Sequence, residues 1–259
     1  MRAESTGRES TVGGAPSWNP FEALVKGIQV ARSQPIVVGL FVTLGAIYGL
    51  EKVISDGPIE NLFLAGSWLV GTVLIATAVL GITHRYAAVA RYGGPTGLEP
   101  HLRALVWLIP MFLSLNILII IGMTLIVAVP YVFASITGQH VFQLVGVPIA
   151  IYCLLRISLA YPAVTIGRQN PVQALVYSWR SAKGQLGRLF VLVMAASAIR
   201  AVEELNGFQF GTNVTHAAFI GAIGIAYGFV YLAFAHAYLE TADPPRWTDS
   251  GEPARTDRR

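Results

Sequence analysis

The sequence predicts an all-α integral membrane protein of six transmembrane helices, with two or three interfacial amphipathic helices and a parallel internal repeat. Three observations predict it. Of 259 residues, 54% are hydrophobic and only 12% charged, a balance that a water-soluble globule could not cover with polar surface. Six separate runs are long and apolar enough to cross a bilayer. The motif Asn-Pro-x-x-Ala-Leu-Val occurs twice, each time ahead of such a run.

In chain order, residues 1–18 are polar and rich in Gly, Ser and Thr, without the charged-then-apolar pattern of a cleaved signal peptide, and are expected to be a cytoplasmic tail. The folded part is expected over 19–240, followed by a second polar tail at 241–259. Within it the spans fall at 36–53, 62–83, within 105–136, 141–165, 186–202 and 214–239. The third run is too long for one upright crossing, so Pro110 and Pro130 are expected to trim it to the part between them. Long apolar runs without alternation exclude a membrane β-barrel.

Two polar-faced helices are expected near 19–34 and 170–184. Asn170 is a good N-cap, Pro171 suits the first helical position, and Gln173 stands where a capping-box partner reaches back. Val172, Leu175, Val176 and Trp179 form one apolar stripe, with Arg180 and Lys183 on other faces. The stretch NPFEALV from Asn19 matches NPVQALV from Asn170 at five of seven positions, and the register continues ungapped to Gln34 and Gln185. This reads as an internal repeat; the alternative is that two surface helices converged on good capping chemistry. A third copy is suggested at Glu99-Pro100, which would give three modules, each a surface helix followed by a two-helix hairpin.

Lys and Arg are concentrated before the first span, between the second and third, and between the fourth and fifth. The asymmetry places both termini in the cytoplasm of a multi-pass protein of the cell membrane. Helices this short and polar-faced should lie in the headgroup region, where each cation near an anionic leaflet contributes roughly 1 kcal/mol. Arg168, Arg180, Lys183 and Arg188 are therefore the candidate lipid-headgroup contacts. The alternative is that they only anchor and orient the bundle.

The segment RISLAYPA from Arg156, leading into ALVYSWRSAKG from Ala174, resembles the membrane domain associated with glycerophosphoryl diester phosphodiesterases and the related stand-alone six-helix proteins of bacteria and archaea. The likeness covers roughly 156–190. It implies a fold and a location, not catalysis, because in those phosphodiesterases the chemistry belongs to a separate soluble barrel. Here His84-Arg85 is followed by Tyr86 in place of the Gly of the enzyme's His-Arg-Gly signature.

Residues with catalytic potential are scattered. The five histidines form no metal-ligand pattern, the single Cys153 lies in an apolar run, and no phosphate loop or nucleophile elbow occurs. No enzyme and no cofactor is expected, and the spread of basic residues between spans argues against a nucleic-acid partner. Arg156 and Asn116 form the candidate intramembrane polar site. The alternatives are an arginine that snorkels to the nearer surface and an asparagine that bonds a neighbouring helix. The expected role is a non-enzymatic lipid-interacting or scaffolding component, with membrane lipids, anionic ones included, a membrane-protein partner or a second copy of the chain as partners. The competing role is a transporter for a lipid-like or amphiphilic solute.

Overall fold

A computed structural model describes residues 18–55, 62–94, 96–138, 141–210 and 214–242. Most of the two expected tails, and the side chains of Glu203, Glu204 and His216, lie outside the described residues. The described chain is all-helical, without a strand. Ten α-helices follow one another: α1 (Pro20–Ser33), α2 (Pro35–Ser55), α3 (Leu62–Tyr92), α4 (Glu99–Arg103), α5 (Leu105–Thr137), α6 (Val141–Ile157), α7 (Ala160–Thr165), α8 (Pro171–Ser181), α9 (Leu186–Phe210) and α10 (Val214–Thr241), with a 3-10 turn at Ala182–Gly184.

Among the described residues, four helical stretches are long and apolar enough to cross a membrane: Gly71–Tyr92, Leu105–Thr137, Pro148–Thr165 and Gly221–Thr241. Two bent pairs pass the same test jointly, α1 with the start of α2 at 105° and α8 with the start of α9 at 110°, giving up to six. The bends are where the repeated motif runs into its apolar segment. Both motif helices start on an asparagine: Asn19 Oδ1 accepts from the Phe21 amide at 2.9 Å, and Asn170 Oδ1 accepts from the Gln173 amide at 2.8 Å. At Asn170 the Gln173 side chain also reaches back to the cap amide, completing the capping box.

The two helices also bury matching positions. Ala23, Gly27 and Ala31 pack inward on α1; Ala174, Ser178 and Ala182 do so in the second copy. Their outward stripes match in the same register, with Phe21, Val25 and Ile28 exposed on one and Val172, Val176 and Trp179 on the other. Small inward residues let each helix lie close against the bundle, while the large apolar ones face away from it. Trp18, the last residue of the expected N-terminal tail, is instead buried and donates from its indole N–H to Gln185 Oε1, tying the start of α1 to the bend before α9.

The long helices close a ring: α2 packs on α3, α3 on α5, α5 on α6, α6 on α9, α9 on α10 and α10 back on α2, with α10 also packing on α1 and α3. The α2–α10 contact is the most extensive and rests on glycine. A Cβ on Gly45 would fall on the Gly221 carbonyl, and one on Gly224 would fall on the Gly45 backbone. Small residues at a contact let helix backbones approach closely, and here they meet within one chain.

Two expected boundaries are corrected. The second span was expected to end at residue 83, but α3 runs on to Tyr92 before Gly93 at φ 77° stops it. The added turns carry His84, Arg85 and Arg91, and the helix continues because these side chains find partners on α7, α4 and α10 while Ala87, Ala88 and Val89 are buried. The third span was expected to be trimmed at Pro110 and Pro130, but α5 is one helix through both. Each proline deletes one backbone donor, and on a helix in lipid the remaining bonds have no water to compete with them. At about 1.5 Å per residue α5 is roughly 50 Å long, well beyond a hydrocarbon core of about 30 Å.

Candidate functional site: charged cavity between α1, α3 and α10

The charged groups collect where the surface helix α1 crosses the ends of α3 and α10. Glu240 on α10 is their hub. Its Oε1 pairs with the Arg91 guanidinium of α3, with His236 Nε2 at 3.2 Å and with Lys26 Nζ of α1 at 3.7 Å. Lys26 is shared with Glu22, one turn earlier, at 2.7 Å. All three contacts to Glu240 use one oxygen, and Oε2 takes no part in them.

This cluster walls two cavities. The larger, about 470 Å³, lies among Lys26, Gln29 and Ser33 on α1, Ala90 and Arg91 on α3, and Leu232 on α10. The smaller, about 200 Å³, lies on the other side, among Trp18, Asn19 and Glu22. Lys26, His236 and Glu240 line both. Gly27 sets the distance between α1 and α10, since a Cβ there would meet Leu232 Cβ at 3.1 Å and the Phe229 carbonyl oxygen at 3.4 Å. The cavity is thus charged where α1, α3 and α10 converge and apolar along Ala90 and Leu232.

A second polar layer lies within the bundle. His84 Nδ1 is 3.0 Å from Thr165 Oγ1 on α7, and Arg85 Nε donates to His101 Nδ1 on α4 at 3.1 Å. Arg85 and His101 are fully buried, and the Tyr86 ring leans on the His101 imidazole. These bonds fasten α3 to the middle of the chain, and they explain why Arg85 is helical instead of sitting in a loop. Among the described residues no group of three His, Cys, Asp or Glu is arranged to hold a metal ion.

The residues singled out in the sequence are placed as follows. Arg156 is nearly buried; its Nη1 donates to the Trp179 carbonyl at 2.6 Å, and its Nε and Nη2 donate to the Tyr152 hydroxyl at 2.9 and 2.6 Å. Its guanidinium also lies over the Tyr152 and Trp179 rings at 5.1 and 5.2 Å. It therefore binds α6 to the C-terminal end of α8, where carbonyls carry the negative end of the helix dipole. Beside it, Ser178 Oγ donates to the Arg156 carbonyl at 2.7 Å and accepts from the Leu159 amide at 3.0 Å, bridging the break between α6 and α7. Asn116 donates to the Phe112 carbonyl of its own helix and accepts from the Tyr161 hydroxyl of α7, both at 2.9 Å. Arg156 and Asn116 thus serve two separate interhelical networks.

Of the four cations near α8, Arg180 and Lys183 are exposed and Arg188 is half-buried. Arg168 takes a left-handed backbone at φ 51° and stacks 4.7 Å above the Trp107 ring of α5. The structure therefore leaves a pair of cations at the C-terminal end of α8 and on the 3-10 turn after it, near the exposed Val176 and Trp179. The α1–α3–α10 cluster escaped the sequence reading because Lys26, Arg91 and Glu240 are far apart in the chain; the local signals were the spacings of four residues at Glu22–Lys26 and His236–Glu240.

Comparison with protein-family models, with curated proteins and with solved structures finds no match.

Proposed function

We propose that this chain is a non-enzymatic, six-span component of the cell membrane, with both termini cytoplasmic, whose motif helices α1 and α8 lie at headgroup depth and hold lipid around the bundle. The observation that carries this reading is the shared construction of those two helices. Each packs small residues inward, turns large apolar residues outward, and bends by 105° or 110° into an apolar segment. A helix so built is suited to the boundary between acyl chains and headgroups. The likeness in cap, inward face, outward face and bend favours duplication of one module over separate convergence.

The exposed Arg180 of α8 and Lys183 of the 3-10 turn after it are the groups that face anionic headgroups, with Arg188 and Arg168 flanking them. At about 1 kcal/mol per cation, the exposed pair accounts for roughly ten- to thirtyfold in retention of anionic lipid. The reading as a transporter built on Asn116 and Arg156 is less well supported, because both side chains are spent on bonds between helices. The test is native mass spectrometry of the full chain from mixed phosphatidylglycerol and phosphatidylcholine vesicles, comparing wild type with the double variant Arg180→Gln, Lys183→Gln. The expected result is selective loss of bound phosphatidylglycerol; equal retention would remove the proposed role of α8.

A further inference from the structure

We infer that the cavity between α1, α3 and α10 is a binding site for an amphiphile with a zwitterionic headgroup, a primary ammonium joined through a short linker to a phosphate. The site is distinct from the α8 cations and shares with that proposal only the placement of the chain in a bilayer.

Charge pattern carries the argument. Around the cavities the signs alternate in space: Glu22, Lys26, Glu240, Arg91, joined by the 2.7 Å and 3.7 Å contacts of Lys26 and by the Arg91–Glu240 pair. Two carboxylates balance two permanent cations, so the wall attracts neither a pure anion nor a pure cation strongly. A headgroup carrying both signs matches it at two points.

Each point has a group available. Glu240 Oε2 takes no part in the contacts that occupy Oε1, and a carboxylate oxygen accepts readily from an ammonium. Lys26 is partly exposed and holds Glu240 at only 3.7 Å, so its ammonium can turn to a phosphate oxygen while Glu22 stays within reach. Gln29 on the next turn adds an amide donor to the same wall. Below the charged rim, Val30, Ala87, Ala90 and Leu232 give an apolar lining for the start of an acyl chain. A volume of about 470 Å³ holds a headgroup and its glycerol, not two whole chains, so the tails would leave towards lipid.

The chemistry has two sources, a membrane lipid or a soluble phosphodiester of the same headgroup, and the experiment separates them. Full-length protein carrying Arg180→Gln and Lys183→Gln, which removes the α8 pair, is equilibrated with vesicles containing equal phosphatidylethanolamine, phosphatidylglycerol and phosphatidylcholine, and bound lipid is read by native mass spectrometry. Phosphatidylethanolamine is expected to be retained over the other two. Ala90→Trp fills the cavity from an exposed position without touching the charges, and should abolish that retention while leaving the fold intact. Glu240→Gln should cut the preference for phosphatidylethanolamine over phosphatidylglycerol by about tenfold, through loss of a charge-assisted hydrogen bond to the ammonium.

Added soluble glycerophosphoethanolamine that competes at equal concentration would support the headgroup chemistry and assign the site to the soluble source. Phosphatidylglycerol retained as well as phosphatidylethanolamine by protein that lacks the α8 pair would overturn the zwitterionic assignment. Retention unchanged in the Ala90→Trp protein would overturn the location. The Arg180→Gln, Lys183→Gln variant is expected to keep its phosphatidylethanolamine, so failure at either site is read separately.

Discussion

Adding one methyl group at Gly45 is the sharpest perturbation of the fold. The Cβ of Gly45→Ala would lie on the Gly221 carbonyl oxygen, with the carbonyl carbon at 2.9 Å and Cα at 3.0 Å. The obstacle is backbone in the middle of another helix and cannot rotate away, so α2 and α10 must separate. Separation also lifts Phe41 off α10, where its ring sits at the space a Gly228 side chain would need and packs edge-on to Phe229 at 5.4 Å. Overpacking of a close interface costs about 1–3 kcal/mol, and a backbone obstacle places this variant near the upper value.

Gly39 supplies the control. It lies on the same helix with nothing within 4 Å of a built Cβ, so Gly39→Ala should gain roughly 0.5–1 kcal/mol from the reduced freedom of the unfolded chain. The unfolded-state gain is common to both variants on this helix, so their stabilities should differ by the overpacking cost, about 3 kcal/mol. Reversible unfolding in mixed micelles, followed by helical circular dichroism, measures the difference. Two variants within about 1 kcal/mol of each other would mean that the α2–α10 contact is not made through glycine.

Other expectations follow from the polar networks. Arg156→Gln should cost about 2–4 kcal/mol, since it removes charge-assisted bonds to the Trp179 carbonyl and Tyr152 hydroxyl, with Arg156→Lys recovering only part; unfolding in the same micelles checks both. Asn170→Ala should cost about 1 kcal/mol and speed amide exchange in the first turn of α8, whereas unchanged exchange at Gln173 would contradict the cap. A double-mutant cycle of Asn116→Ala with Tyr161→Phe should give a coupling of about 0.6 kcal/mol, typical of an interhelical bond in lipid. No coupling would mean that the two side chains do not meet.

The sequence reading found the apolar helices because their signal is local: periodicity, length and a cap can be read within one window. Asn19 and Asn170 cap as their spacing predicts. The failures came where a distant partner decides. His84, Arg85 and Arg91 look like the end of a span, yet Thr165, His101 and Glu240 allow them to stay in it. Pro110 and Pro130 look like breaks, yet α5 passes through them. The cavity was illegible for the same reason, since it exists only once α1 is folded across α3 and α10.

Comparison of the two motif helices explains why one of them borders a charged cavity. In the register that pairs Asn19 with Asn170, Lys26 corresponds to Tyr177 and Ser33 to Gly184. Both Lys26 and Tyr177 hold the end of α10. Tyr177 does so with its ring 5.3 Å from that of Tyr238 and its hydroxyl 3.0 Å from Thr241 Oγ1, whereas Lys26 does so with a loose ion pair beside open space. The aromatic fastening satisfies the packing without charge, so the charges on the α1 side are not required by the scaffold. Exposed ion pairs of this kind contribute about 0–1 kcal/mol each. Lys26→Tyr, which copies the α8 residue into α1, should therefore leave unfolding stability within about 1 kcal/mol of wild type while abolishing retention of phosphatidylethanolamine. A variant destabilised by several kcal/mol would make Lys26 a structural fastening; one that is stable and still retains the lipid would show that the ammonium of Lys26 plays no part in holding it.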